Sequence, residues 1–141
     1  MSNTDALKAL HTALIDAEKG YDEAVKDADA AEMKALFENM RSVHHQSHNE
    51  VHAILLSKGE QPDESGSFMS LVHKTVISVR STVTGLDRPS LHSFASGEEH
   101  ILSAYDAAIR ENQSDAAAVD KLTQRKNRLV EMVARMKGRT A

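Results

Sequence analysis

The chain has 141 residues, which is enough for one domain with a buried core and too few for two domains of typical size. It carries 17 Lys and Arg against 21 Asp and Glu, and the net charge of -4 argues against a dedicated nucleic-acid-binding protein, which normally has a basic excess. Cysteine is absent, which excludes disulfides, thiolate metal ligands and cysteine nucleophiles.

The composition favours helices, because 2 Pro and 6 Gly are spread among many helix-favouring residues. The first residues show neither the basic nor the apolar region of a secretion signal, and no stretch approaches the ~20 apolar residues of a membrane span. We therefore expect one domain over residues 1–141, in a cytoplasmic protein of bacterial type that does not enter a membrane.

Apolar residues recur every three or four positions in five segments, which is the spacing of amphipathic helices. The predicted helices cover, in chain order, residues 5–27, the segment from the Asp29 cap to just before Gly59, residues 67–84, the segment from the Asp87 cap to the linker near residue 113, and the segment from the Ser114 cap to Gly138. Because the linkers near residues 28 and 113 are very short, the first two helices are predicted to form one antiparallel hairpin and the last two another.

The connection between the two hairpins is long, with about 29 residues and a helix that spans roughly 27 Å. Such a helix can carry the chain along most of a bundle. We therefore predict an all-α four-helix bundle with a short crossover helix between the second and third bundle helices, running up, down, crossover, down, up. A plain up-down array is the alternative.

One polar residue interrupts the apolar face of each long helix, and in chain order these are Glu18, His44, Glu98 and Lys126. Counted from the end at which the first hairpin turns, they differ in height by roughly one helical turn, so they are predicted to meet at mid-bundle. An unpaired carboxylate in an apolar core is costly. Two of them imply a compensating cation, which could be Lys126, a protonated histidine or a metal ion.

A second polar layer is predicted about one turn below mid-bundle. Its members are His11, His48 and Tyr105. One interpretation of the two layers is a polar network in the core that fixes the register of the helices. That network would contain Glu18, His44, Glu98, Lys126, Tyr21 and Tyr105.

The other interpretation is a site for one divalent metal ion, of the Fe, Mn or Zn type. Its ligands would be Glu18, His44 and Glu98, with His48 or His11 as a further ligand. Tyr21 and Tyr105 would lie next to these ligands.

Four histidines fall within nine residues of the second helix, at positions 44, 45, 48 and 52. Pairs four residues apart, such as His48 and His52, can chelate Zn, Cu or Ni. Because His45 and His52 lie off the core face, they are predicted to be solvated.

Short motifs resemble those of known proteins. The paired carboxylates, the Glu98-x6-Tyr105 spacing and the crossover resemble the ferritin-like superfamily. The Gly59-x-x-Pro62-x-x-Ser65-Gly66-Ser67 loop, the Leu71-Val72-His73 segment and the Gly97-Glu98 pair resemble an uncharacterised bacterial family of ferritin-like four-helix-bundle proteins. The resemblance implies a ferritin-like fold and assigns no activity.

The chain also departs from the superfamily pattern. Oxidative di-iron members carry Glu-x-x-His on each of two helices, and this sequence has no such motif, which argues against a ferroxidase site. We therefore predict a non-catalytic ferritin-like bundle with a degenerate metal centre, a stress-related role and a homodimeric state. The alternative is a metal-binding protein or a metal-dependent oxidoreductase.

Overall fold

The structure, a computed structural model, describes residues 4–28, 31–62 and 88–138. These residues form four α-helices and no strand. The helices are α1 (Asp5–Asp27), α2 (Ala31–Ser57), α3 (Arg88–Glu111) and α4 (Ala116–Gly138). The all-α class and the four-helix bundle are thereby confirmed. The predicted crossover helix, residues 67–84, and the predicted caps Asp29 and Asp87 lie outside the described residues.

Local signals explain where two of the helices end or begin. Gly59 takes a φ of 82°, and the Glu60 N–H donates to the Leu55 carbonyl at 3.0 Å, which is a typical glycine-mediated end for α2. The start of α4 differs from the prediction. Asp115 is its N-cap, because Asp115 Oδ1 accepts the N–H of Ala118 at 3.1 Å, and Ser114 precedes the cap.

Contacts at the helix ends give the direction of each helix. The Ala6 N–H, at the start of α1, donates to the Glu111 carboxylate, at the end of α3. Lys58 follows α2 and Asp115 precedes α4, and Lys58 Nζ lies 2.9 Å from Asp115 Oδ2. Thus α1 is antiparallel to α3, and α2 is antiparallel to α4. Since α1 and α2 form a hairpin, the four helices run up, down, down, up.

The helices enclose one apolar core. In the bundle α1 packs against α2 and α3, and α4 packs against α3 and α2. Leu7, Leu10 and Leu14 of α1 are fully buried, and each contributes about 1.5–3 kcal/mol through removal of its side chain from water. Near mid-bundle the rings of Phe37 and Phe94 lie 5.0 Å apart, against Tyr21. None of the four helices formed by the described residues combines the length and the hydropathy of a membrane-spanning segment.

Candidate metal centre

A buried hydrogen-bond network joins three helices at mid-bundle. The hydroxyl of Tyr21 on α1 donates to Glu98 Oε1 on α3 at 2.6 Å. Both oxygens of Glu98 also lie within hydrogen-bonding distance of His44 Nε2 on α2, at 2.8 and 3.0 Å. An ionised carboxylate only accepts hydrogen bonds, so Nε2 carries the proton. We call Tyr21, His44 and Glu98 the buried triad.

The electrostatics of the buried triad keep Tyr21 neutral. Burial raises the pKa of Tyr21 well above its ordinary value of 10.0, and the negative charge of Glu98 and its hydrogen bond raise it further. The phenol therefore remains a hydrogen-bond donor at all ordinary pH values. Its ring also stacks on that of His44, with 5.7 Å between the ring centroids.

The buried triad leaves little scope for a metal ion at Glu98. Two protein donors already serve the carboxylate, which offsets the cost of its burial. His44 Nε2 points its proton at Glu98. His44 Nδ1 is buried and has no hydrogen-bond partner among the residues that the structure describes. The predicted ligand set of Glu18, His44 and Glu98 is not assembled.

Glu18 instead belongs to a second polar group, in the groove between α1 and α2. His45 Nδ1 lies 2.6 Å from Glu18 Oε1, and His48 Nδ1 lies 3.0 Å from Glu18 Oε2. The group is partly open to solvent, because the His45 side chain is 60% exposed while those of Glu18 and His48 are 17% and 11% exposed.

The second group continues along the same groove through two more histidines. The rings of His11 and His48 meet edge to face, with centroids 4.7 Å apart. His11 Nε2 lies 3.4 Å from His52 Nδ1. Residues three and four apart share one face of a helix, which is why positions 45, 48 and 52 of α2 all reach α1. We call the whole group the histidine cluster; its members are His11, Glu18, His45, His48 and His52.

The histidine cluster has the donor chemistry of a transition-metal site. One donor atom from each of Glu18, His45 and His48 lies within 4.8 Å of the others, and the same holds for His11, His48 and His52. Imidazole nitrogen with a carboxylate oxygen suits Zn, Cu, Ni and Fe. Small side-chain rotations would bring either set of three onto one ion.

A pocket of about 230 Å³ adjoins one end of the histidine cluster. His11 lines it, and Lys8, Thr12, Leu55 and Glu60 form other parts of its wall. Lys8 Nζ lies 3.0 Å from Glu60 Oε2, and this ammonium, together with the Thr4 hydroxyl, lowers the pKa of the Glu60 carboxyl. His11 is nevertheless almost fully buried, with 2% of its surface exposed.

The structure therefore divides the predicted mid-bundle cluster into two groups. Glu98, His44 and Tyr21 come together, whereas Glu18, His48 and His11 come together elsewhere. Four helical residues turn the chain through about 400°, so Glu18 lies about 40° around α1 from the core residue Leu14, at the edge of the apolar stripe. At that edge Glu18 reaches α2.

Lys126 and Tyr105 join neither group. Lys126 Nζ lies 2.6 Å from Asp106, and its side chain is 31% exposed, so Lys126 is not the cation that compensates Glu98. A long aliphatic stem carries its charge out of the core. Tyr105 is fully buried beside Ser47, and burial raises the pKa of Tyr105 to about 12.

The sequence indicated that pairs such as His48 and His52 can chelate a metal, but the predicted site left out His45 and His52 as solvated residues because both lie off the core face of α2. The sequence contains a further signal for both residues. They flank His48 at spacings of three and four residues, and α1 carries an acidic residue and a histidine on the facing side.

Comparisons with known proteins identify a family that the chain matches. No curated protein and no solved structure matches the chain significantly. A family model described as "Domain of unknown function (DUF2383)" matches residues 2–111. The matched residues include α1, α2 and α3, and hence every member of the buried triad and of the histidine cluster. Because the match covers well over half of the sequence, the chain belongs to the DUF2383 family.

Proposed function

We propose that this protein binds a divalent transition-metal ion at the histidine cluster. The observation that carries the proposal is the position of Glu18, whose two oxygens lie 2.6 and 3.0 Å from nitrogens of two different histidines, His45 and His48. Nearby, His11 and His52 add two further imidazoles. Five candidate ligands thus line one groove between two packed helices.

The donor set indicates which metals fit. Four imidazoles and one carboxylate suit zinc, copper, nickel or iron, whereas manganese prefers sites richer in carboxylate oxygen. Of the ions expected from the sequence, zinc and iron both fit, and zinc is the simpler probe because it has no redox chemistry. The ligands also stand on helices that pack along their length, so their backbone positions are largely fixed before an ion arrives.

The buried triad supports this role through the structure of the bundle. Tyr21 lies three residues after Glu18 on α1, and His44 directly precedes His45 on α2. Bonds from both residues to Glu98 tie α1 and α2 to α3 at one height. We propose that the buried triad has this structural task, as the core polar network predicted from the sequence would, and that it keeps Glu18 level with His45.

The remaining features expected from the sequence stay proposals. The up, down, down, up order of the helices supports a ferritin-like bundle. A homodimeric state, a cytoplasmic location and a stress-related, non-catalytic role stay predictions. Multi-angle light scattering of the purified protein tests the first of these, and a monomeric mass would contradict it.

Metal analysis of protein purified without an affinity tag tests the proposed function. Metal-free protein is titrated with Zn²⁺ by calorimetry, and the zinc retained after gel filtration is measured by mass spectrometry. We expect stoichiometric zinc on the wild type and its loss in the Glu18→Ala/His48→Ala variant. The matched control is Glu99→Ala/His100→Ala, which removes the same residue types at exposed positions of α3.

Three outcomes decide the question. Zinc bound by the wild type and the control but lost by the cluster variant supports the proposal. A wild type that retains no zinc overturns it. Zinc bound equally well by the cluster variant also overturns it, because the ion would then lie elsewhere. Circular dichroism of each variant verifies that the helices are intact.

A further inference from the structure

We propose that the histidine cluster holds two metal ions, bridged by the imidazole ring of His48. This inference rests on the proposed function and concerns its stoichiometry and chemistry. One ion would have Glu18, His45 and His48 as ligands. The other would have His11, His52 and His48.

The spacing of the donors along the helices separates two positions. Glu18 and His11 lie seven residues apart on α1, which is about 10.5 Å along the helix axis. On α2, His45 and His52 are also seven residues apart. Metal–nitrogen and metal–oxygen bonds are only about 2 Å long, so one ion cannot take ligands from both ends of this groove. In the described residues the donors accordingly fall into two groups of three.

His48 is the member that the two groups share. It lies three residues after His45 and four before His52, midway along the groove. Its Nδ1 lies 3.0 Å from Glu18 Oε2, so this nitrogen belongs to the Glu18 group. Nε2, the second ring nitrogen, would bind the ion of the other group, whose member His11 meets the His48 ring edge to face.

The protonation chemistry of His48 makes such a bridge possible. A neutral imidazole has one nitrogen with a free lone pair and one N–H. The first ion binds the free lone pair. The second ion displaces the remaining ring proton, which passes to the solvent, and the ring becomes an imidazolate bound to one ion through each nitrogen.

Each ion would keep one position for an exchangeable ligand. Three protein ligands leave the fourth corner of a tetrahedron open, as in sites where zinc binds water or substrate. Solvent reaches the Glu18 end beside the exposed His45, and it reaches the other end beside the partly exposed His52. Both positions are therefore accessible to water.

The experiment is a calorimetric titration of the metal-free, full-length protein with Zn²⁺ in two buffers that differ in ionisation enthalpy. We expect each wild-type chain to bind two zinc ions. The second ion should release one proton more than its other ligands account for, because it displaces the ring proton of His48. His45→Gln and His52→Gln should each bind one ion, His48→Gln should weaken both sites at least about tenfold, and the control His100→Gln should still bind two.

A second measurement tests the bridge without any substitution. An imidazolate couples the spins of two Cu²⁺ ions, so wild type loaded with two equivalents of Cu²⁺ should give a much weaker paramagnetic resonance signal than two isolated ions. His45→Gln with one Cu²⁺ should give the full signal of one isolated ion.

The outcomes separate this inference from the proposed function. One zinc ion per wild-type chain overturns the two-ion inference and leaves the proposed function standing. No bound zinc overturns both. Two zinc ions combined with two uncoupled Cu²⁺ signals overturn the His48 bridge, as does a His48→Gln variant that binds both ions with wild-type affinity.

Discussion

Both carboxylate oxygens of Glu98 lie within hydrogen-bonding distance of one nitrogen of His44, at 2.8 and 3.0 Å, where neither side chain is reached by solvent. The pair links α3 to α2. A buried carboxylate is tolerated only when donors surround it, and removal of one partner leaves the other partner buried without compensation. Each half of the pair therefore depends on the other.

We expect Glu98→Ala to lower the free energy of unfolding by about 3–5 kcal/mol, because His44 and Tyr21 would keep buried polar atoms without a partner. Urea denaturation followed by circular dichroism measures the change. The control is the neighbouring Glu99→Ala, which removes an exposed carboxylate and should stay within about 0.5 kcal/mol of the wild type. Equal losses for the two variants would contradict the role of the buried triad.

The two tyrosines should respond differently to removal of the hydroxyl. Tyr21→Phe removes a hydrogen bond to a charged group and should cost about 1.5–3 kcal/mol. Tyr105→Phe should cost less, because the Tyr105 hydroxyl has no hydrogen bond of standard geometry among the described residues. Urea denaturation of Tyr21→Phe, Glu98→Ala and the double variant Tyr21→Phe/Glu98→Ala measures the coupling energy between Tyr21 and Glu98. Additive losses in the double variant would show that Tyr21 acts independently of Glu98.

Stability should fall in alkaline solution. The chain has 2 tyrosines, and burial raises the pKa of Tyr21 well above 10.0 and that of Tyr105 to about 12. Above pH 10 the unfolded chain releases these protons before the folded chain does, so it binds fewer protons and the free energy of unfolding decreases with pH. The stabilising contribution of the two protonated tyrosines to the free energy of unfolding is complete below pH 10, and it is lost as the pH rises toward and past 12.

Tyrosinate absorbance checks this prediction directly. In the native protein the signal should develop only well above pH 10, and it should coincide with loss of helical circular dichroism. In urea both tyrosines should titrate near pH 10. A native protein whose tyrosines ionise near pH 10 without unfolding would contradict the burial of both rings.

Lys126→Met should leave stability almost unchanged. Lys126 and Asp106 form a half-exposed ion pair at 2.6 Å, and such pairs contribute about 1 kcal/mol or less. The same experiment bears on the sequence-based prediction that Lys126 compensates buried carboxylates, for which removal of the charge would be costly. A large loss in Lys126→Met, measured by urea denaturation with Lys121→Met as an exposed control, would revive that prediction.

The sequence contains enough information for the helices because their signals are local. Apolar spacing placed α1 at residues 5–27, and Gly59 marked the end of α2 through its own backbone conformation. The N-cap of α4 was misplaced by one residue, since Ser114 and Asp115 are both good caps and only the bond from Ala118 distinguishes them.

The candidate site was harder to predict because it depends on two helices at once. A helical wheel ranks each residue by its angle from the middle of the apolar face of its own helix, and by that measure His45 and His52 are peripheral. Whether they touch Glu18 and His11 depends on the rotation and height of the neighbouring helix, which the wheel does not contain. For the same reason Glu18 and Glu98 were assigned to one predicted site, although Glu18 contacts His45 and His48 of α2 instead.

All members of the histidine cluster lie on the first hairpin, α1 and α2, whereas the stability of the bundle depends on both hairpins. An ion that binds only the folded protein shifts the folding equilibrium by mass action, by about 2.7 kcal/mol at a free concentration one hundred times the dissociation constant. Metal supply would then set how many destabilising substitutions α3 and α4 can accumulate. Destabilising substitutions in the second hairpin would be offset by an ion that contacts only the first hairpin.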